Sequence, residues 1–378
     1  MNQNNKPLKI CLTTVSLSGG GAERCAASLS NYFVSQGYEV HHVVFAGSIV
    51  YEYSGEILHL EALKDKKNSA TSRFKRFIAL KNYFKQQQFD IIIDFRVKEF
   101  YLQEFIIHNF IYKKFIQTIH SNKIESYISK NKFLAKQLYK NAIQLVSVSN
   151  EIQNKLENNY LFKKLSQIYN PIDFLSIEKL RLEENNLDFK YILGIGRMED
   201  NVKQFDHLIE SYANSNLPLQ NIKLVILGEG KLKQKWNELA KSFNQEENVV
   251  FLGSVSNPFA YYSNALFTVM TSKYEGFPMV LLESLACETP VVSYDLKSGP
   301  SEIIIPNENG ILVENQNKLE MTKAMNEMIS NKELYLHCKQ NAKSSVERFS
   351  LENIGKQWLQ LFNELKNEHR NNRYSKNN

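Results

Sequence analysis

The chain has 378 residues, 43% of them hydrophobic and 23% charged, with a formal net charge of +6. That length exceeds one ordinary α/β core and suits two, and the charge content excludes global disorder. Four scattered cysteines, Cys11, Cys25, Cys287 and Cys338, argue against a disulfide framework or a zinc knuckle.

The start, MNQNNKPLKI, has no signal-peptide pattern, and no apolar run approaches the roughly 18–20 residues that span a bilayer. A soluble cytoplasmic protein is expected. From Leu8 to Val15 an apolar run reads as a strand. Gly19, Gly20 and Gly21 break it, and Ala22–Gln36 has helical periodicity ended by Gly37. Glu39–Phe45 is the next strand, Phe74–Gln87 a helix, and Ile91–Asp94, Phe115–His120 and Leu145–Ser149 are strands, with a helix from Glu151. Alternation of this kind predicts a parallel sheet covered on both faces.

Asn170-Pro171 then makes an extended turn, and a charged stretch runs from Glu178 to Lys190. The pattern restarts with strands at Tyr191–Ile195, Lys223–Leu227, Val249–Phe251, Leu266–Met270 and Val291–Ser293. Helices fall at Phe205–Tyr212, Lys231–Phe243 and Met279–Cys287. The predicted domains are 1–172 and 173–349. Residues 350–378 carry a helix, Asn353–Lys366, expected to pack back on the first domain, and a polar tail that frays from Asn367.

Charge is uneven. Between Glu61 and Leu145 there are 17 Lys/Arg against 7 Asp/Glu, so the remainder is slightly acidic. Such a region attracts phosphates or lipid head groups, or it is simply a solvated lysine-rich face. It is read as lacking the interleaved aromatic platforms of single-strand binders, which disfavours a nucleic-acid partner.

Gly20 and Gly21 open a helix after a strand, where free N–H groups favour an anion; the bland alternative is a glycine-rich β–α turn. Arg197 and Lys203 follow the strand Tyr191–Ile195 and suit a diphosphate, or are surface cations. In SKYEGFPMVLLESLACETPVV, Glu275 precedes an irregular turn at Gly276, Phe277 and Pro278. Pro278 opens a helix carrying Met279, Val280 and Glu283. Glu283 lies among apolar neighbours, and a buried carboxylate needs a partner. His120 ends a strand, where it faces a cleft or is ordinary; no metal-ligand spacing surrounds it.

In order along the chain, GGGAER, TIHSN, SVS, Asn170-Pro171, GIGRM, LGEGKL, FLGSV, EGFPMVLLESLACETPVVSYD, SGPSEII and NGILV resemble glycosyltransferase family 4. The resemblance implies the GT-B fold: α/β, two Rossmann-like domains with parallel sheets facing across a cleft. It implies a metal-independent, retaining transferase that uses no cofactor. The donor would be a nucleotide sugar, by default a UDP-hexose or UDP-N-acetylhexosamine. The acceptor would be a hydroxyl of a glycan or lipid-linked molecule; the basic excess between Glu61 and Leu145 suggests a lipid-linked one, as in bacterial surface-polysaccharide assembly, with peripheral contact to an anionic inner membrane face.

By that resemblance Gly20 and Gly21 approach the donor diphosphate or acceptor. Arg197 and Lys203 hold the diphosphate, Glu275 the transferred sugar and Glu283 the ribose. The backbone from Phe277 to Val280 lines the pocket, and His120 lies near the anomeric carbon. The step from Arg197 to Lys203 is six residues where the family's is five, implying a loop one residue longer. A nucleotide-sugar-binding protein without turnover and an NAD(P)-dependent oxidoreductase are the alternatives; contiguous glycines disfavour the second.

Overall fold

In the computed structural model, residues 7–374 other than 99, 161 and 163 are described, with side chains to 368. The chain divides into two units, Met1–Pro171 with Leu351–Asn378, and Ile172–Ser350.

The first unit runs β1 (Lys9–Thr14), α1 (Gly21–Ser35), β2 (Glu39–Val44), β3 (Glu56–His59), α2 (Ala70–Gln87), β4 (Ile91–Asp94) and α3 (Tyr101–Ile106). It continues with β5 (Phe115–Ile119), α4 (Lys132–Leu138), β6 (Ala142–Ser147), α5 (Asn150–Tyr160) and β7 (Leu165–Gln167). All seven strands are parallel, in the order β3-β2-β1-β4-β5-β6-β7. The winding direction reverses between β1 and β4, and in open α/β sheets the crevice at the strands' carboxyl ends lies at such a reversal.

The second unit contains α6 (Phe174–Leu180), β8 (Tyr191–Ile195), α7 (Phe205–Ala213), β9 (Lys223–Leu227), α8 (Lys233–Ser242), β10 (Val249–Gly253) and α9 (Phe259–Asn264). After these come β11 (Thr268–Met270), α10 (Met279–Ala286), β12 (Val291–Tyr294), α11 (Pro300–Ile303), β13 (Gly310–Val313), α12 (Lys318–Ser330) and α13 (Lys332–Ser345). Its sheet is also all parallel, in the order β10-β9-β8-β11-β12-β13, so the reversal lies between β8 and β11.

A last helix, α14 (Leu351–Tyr374), belongs to the first unit. Ile354, Trp358 and Phe362 join the core formed by Ile10, Leu12, Ile93 and Ile116 with Leu29 and Phe33 of α1. The Phe33 and Phe362 rings lie 5.4 Å apart. A Cβ on Gly355 would strike the Tyr32 ring, so α14 reaches α1 only because that position is glycine. Truncating Phe362 to Ala would cost about 3–5 kcal/mol. The helix runs past Asn367, where a polar tail was expected to begin, to Tyr374. After Gly355 no glycine or proline stops it, and the polar run NEHRNNRY contains nothing that breaks a helix.

Other differences are local. Helix α2 begins four residues earlier than its apolar periodicity indicated, because the Ser69 side chain caps it by accepting from Ser72 N. Strands β3, β7 and β13 are three or four residues long and lie at or next to sheet edges, too short for alternation to show. The basic region is not free of surface aromatics, contrary to expectation. Phe74, Phe100, Phe110 and Phe133 are each about two-thirds exposed or more. Phe100, Phe110 and Phe133 have apolar neighbours in Tyr101, Ile111 and Leu134, so the string does not mark them as surface positions. Among the described residues no helix is long and apolar enough to cross a membrane.

Candidate functional site

In the second unit the loop after β8 carries Arg197 and Lys203, and it is held by the loop after β9. Met198 N donates to Glu229 O at 2.8 Å, Leu232 N to Met198 O at 3.0 Å, and Gly196 N to Leu227 O at 3.0 Å. Two glycines of LGEGKL make this possible. Gly228 and Gly230 both have positive φ, and a Cβ on either would strike the backbone of Gly196 or of Met198 and Glu199. Gly196 in turn lets the Lys203 stem lie across it; a Cβ there would sit 2.7 Å from Lys203 Cγ.

The Lys203 ammonium thereby reaches Glu275, donating to Oε1 at 2.6 Å, and Ser272 Oγ donates to the same oxygen at 2.7 Å. Thr271 Oγ1 donates to the carbonyls of Lys203 and Gln204 at 3.1 and 2.9 Å, fastening the two loops at the sheet's reversal point. The six-residue step from Arg197 therefore still delivers Lys203 to the carboxylate. Arg197 is exposed in the same loop.

Beyond Glu275 the chain passes through buried Gly276, Phe277 and Pro278 into α10. The side chains of Phe277 and Met279 are buried, Phe277 against Phe349 with centroids 5.3 Å apart, while Val280 is partly exposed. Backbone therefore forms the edge of the site, and the first N–H groups of α10 are available to an anion. The SGPSE loop holds this turn in place. Ser298 Oγ donates to Gly276 O at 2.7 Å, and Gly299, at φ +100°, admits the Pro278 ring where a Cβ would clash. One turn into the helix, buried Glu283 accepts from Tyr262 Oη at 3.1 Å.

The other sequence-derived residues lie in the first unit. Gly20 caps α1 in extended conformation and Gly21 is its first residue. A Cβ on Gly20 would meet the Glu23 carboxylate, so a side chain already holds the anion's place at this helix end. His120 follows β5 directly. Both ring nitrogens are buried, and burial pushes the pKa down to about 3, opposed by the Asn170 side chain. The ring is neutral at pH 7, tilted against Phe95 with centroids 5.4 Å apart.

One cluster escaped the sequence reading. At the carboxyl end of β4, Asp94 Oδ1 accepts from Thr13 Oγ1 at 2.8 Å and from Arg96 Nε at 2.9 Å, and Arg96 Nη2 reaches Asp94 Oδ2 at 2.8 Å. The same guanidinium binds Glu104 at 2.9 and 3.2 Å, and His108 Nε2 lies 3.1 Å from Asp94. All four residues are buried. Burial alone would raise Asp94, but Arg96 and His108 outweigh it and hold the carboxyl well below the usual range. Asp94, Glu104 and His108 form the one group with metal-ligand character among the described residues, yet Arg96 stands among them as their cation. The run IIIDFR, charge directly after a buried strand, was the available signal.

An α/β protein whose sheet reversal carries a lysine–carboxylate pair beside a helix N-terminus has an arrangement that suits a phosphorylated ligand. Residues 177–345 match the family described as glycosyl transferases group 1, and residues 19–174 match Glycosyltransferase Family 4. The chain is 33% identical over 365 residues to the N-acetylgalactosamine-N,N'-diacetylbacillosaminyl-diphospho-undecaprenol 4-alpha-N-acetylgalactosaminyltransferase of Campylobacter jejuni, covering 93% of this chain and 98% of that one. It is 30% identical over 258 residues to the poly(ribitol-phosphate) alpha-N-acetylglucosaminyltransferase of Staphylococcus aureus, covering 65% of this chain and 50% of that one. Among solved structures, a glycosyltransferase from Rickettsia africae superposes with a TM-score of 0.75 at 18% identity, covering 96% of this chain and 99% of that one. HepE of Anabaena, in complex with UDP and glucose, gives 0.75 at 17%, covering 94% and 100%. These likenesses establish the GT-B fold. The chain belongs to glycosyltransferase family 4.

Proposed function

We propose that this glycosyltransferase moves a hexose or N-acetylhexosamine from a UDP-linked donor to a hydroxyl of a lipid-linked or glycan acceptor, with retention and without a catalytic metal. The carrying observation is the contact of Lys203 with Glu275 beside the α10 N-terminus. In that arrangement the Lys203 ammonium, Arg197 and the first N–H groups of α10 stabilise the departing diphosphate, where negative charge develops during transfer. Donor binding frees Glu275 from Lys203, so the carboxylate accepts from a sugar hydroxyl while the lysine turns to phosphate. Glu283 accepts from the ribose hydroxyls. Retention follows when the acceptor hydroxyl attacks on the face the diphosphate leaves. The relatives' UDP complex and N-acetylgalactosaminyl transfer to a diphospho-undecaprenol support this choice of donor and acceptor.

The acceptor side of the proposal rests on the first unit. A pocket of about 530 Å³ lies at its sheet's reversal point, with apolar walls from Phe45, Leu60, Phe77 and Phe100. Arg73 and Arg76 add positive charge to a lining that also holds the Arg96–Glu104 ion pair; Arg76 Nη2 donates to Asn68 Oδ1, while its Nε is buried without a hydrogen-bond partner. Apolar walls beside two arginines, one with an N–H left unpaired, suit a lipid-linked phosphate. Exposed Phe74, Phe100, Leu102 and Phe110 within the basic stretch suit peripheral attachment to an anionic membrane.

Thermal shift tests the donor. A ligand bound only by the folded state raises Tm, so UDP and one UDP-sugar should stabilise the protein equally with and without EDTA. No shift with any UDP-sugar, or a shift abolished by EDTA, overturns the donor or the metal-independent reading respectively. NMR of the product's anomeric proton tests retention. Sedimentation with phosphatidylglycerol liposomes tests attachment, which should weaken as salt rises.

A further inference from the structure

We infer that Tyr262 is a positioning residue for the donor's ribose, acting through Glu283. The inference rests on the reading of Glu283 as the ribose-binding carboxylate and adds the group that aims it. Tyr262 lies on α9, an element that none of the motifs includes, and its side chain is fully buried. Its hydroxyl donates to Glu283 Oε2 at 3.1 Å.

Its own placement is rigid. Thr289 Oγ1, 2% exposed, donates to Tyr262 O at 2.7 Å, and Ser284, one residue after Glu283, bonds Thr289 O at 2.9 Å and Thr268 Oγ1 at 2.8 Å. Helices α9 and α10 are thus tied together by buried hydroxyls around the carboxylate.

A glutamate side chain has three rotatable bonds, and a ribose presents two neighbouring hydroxyls at a fixed separation. To accept from both, the carboxylate plane must be set before the ligand arrives; otherwise binding carries the cost of ordering it. A neutral hydroxyl fixes that plane while leaving lone pairs for the ligand. A cation in its place would compete for the same oxygens. Tyr262 supplies the neutral donor from a side chain that has nowhere else to move.

The test is Tyr262→Phe, which keeps the buried ring and removes only the hydroxyl, measured by calorimetric titration with UDP and with 2′,3′-dideoxy-UDP. The variant should bind UDP about three- to tenfold more weakly and dideoxy-UDP as wild type does. In turnover, donor KM should rise while kcat stays within about twofold. Glu283→Asp, which withdraws the carboxylate from the tyrosine while keeping its charge, should show the same selectivity for the ribosyl nucleotide. It also stands in if Y262F does not fold. Equal loss for both nucleotides in Y262F, or no loss for UDP, overturns the inference. If E283D also fails to distinguish the two nucleotides, the ribose reading of Glu283 falls with it. If E283D distinguishes them and Y262F does not, only the role of Tyr262 falls.

Discussion

The two units solve one topological problem with opposite electrostatics. Each is a parallel sheet that reverses its winding beside its first strand, and each gathers charge at the carboxyl ends there. In the first unit the charge is locked inside, with Arg96 between Asp94 and Glu104 and all three side chains almost wholly buried. In the second it is accessible, with Lys203 and Glu275 retaining 22% and 16% of their side-chain exposure in loops held by glycines and threonine. A buried ion network sets a shape and resists rearrangement. A partly exposed pair can be separated by a ligand that offers each partner a better one. The comparison assigns Arg96, which also lines the first unit's pocket, to architecture, and it supports the proposed role of Lys203 in transfer.

The largest effect expected from that contrast is in the first unit. Arg96→Met leaves two buried carboxylates without their cation, which costs about 3–5 kcal/mol. Hydrogen exchange should rise in peptides covering β1, β4 and β5, while those covering β8 and β11 stay protected and UDP still protects α10. Uniform loss of protection in both units would mean the network supports more than its own sheet.

Lys203→Ala comes next. Its ammonium faces the proposed leaving group and carries no buried network, so folding should be unaffected. By analogy with removal of one charge-stabilising donor, kcat should fall about 10²–10³-fold. UDP affinity should change much less, because Glu283 and the α10 N-terminus remain. A variant that keeps full kcat would remove Lys203 from the mechanism and leave its pairing with Glu275 as structure alone.

The same contrast explains what could be read before folding. In the second unit, Glu275, Gly276, Pro278 and Glu283 fall within nine residues of one another, and the lysine follows its strand by a short loop. Their proximity was therefore legible from spacing and helix geometry, while the roles proposed for them come from the resemblance. What Gly196, Gly228 and Gly299 do was not legible, because each glycine makes room for a side chain or backbone segment from elsewhere. Tyr262 was missed for a related reason. It lies 21 residues before Glu283 on a separate short helix, and an isolated tyrosine carries no pattern. In the first unit, Asp94 and Arg96 are neighbours, but Glu104 and His108 reach them only through α3 and the π-helical turn Ile107–Ile111. Nothing in the string predicts where that turn points.

The smallest effect expected is the pH dependence, and it separates the units by their histidines. Burial pushes His42 down to about 4 and His120 to about 3, from an ordinary value of 6.5. Between those values and 6.5 the unfolded chain binds more protons than the native one, so stability is complete above pH 6.5 and falls as the pH drops. Each group contributes at most about 1.4 kcal/mol per pH unit. Glu104, raised by burial, works in the opposite sense around its own titration, and His207 of the second unit is lowered only modestly. Protection factors, corrected for the intrinsic slowing of exchange in acid, should therefore fall between pH 6.5 and 5 more for β2 and β5 peptides than for β8 and β9. His42→Leu should remove about half of the difference, because it deletes one of two deep titrations while its neighbour Tyr53 still packs on an apolar side chain. An unchanged pH response in that variant would mean His42 becomes charged in the folded state, with Tyr53 moving to admit water.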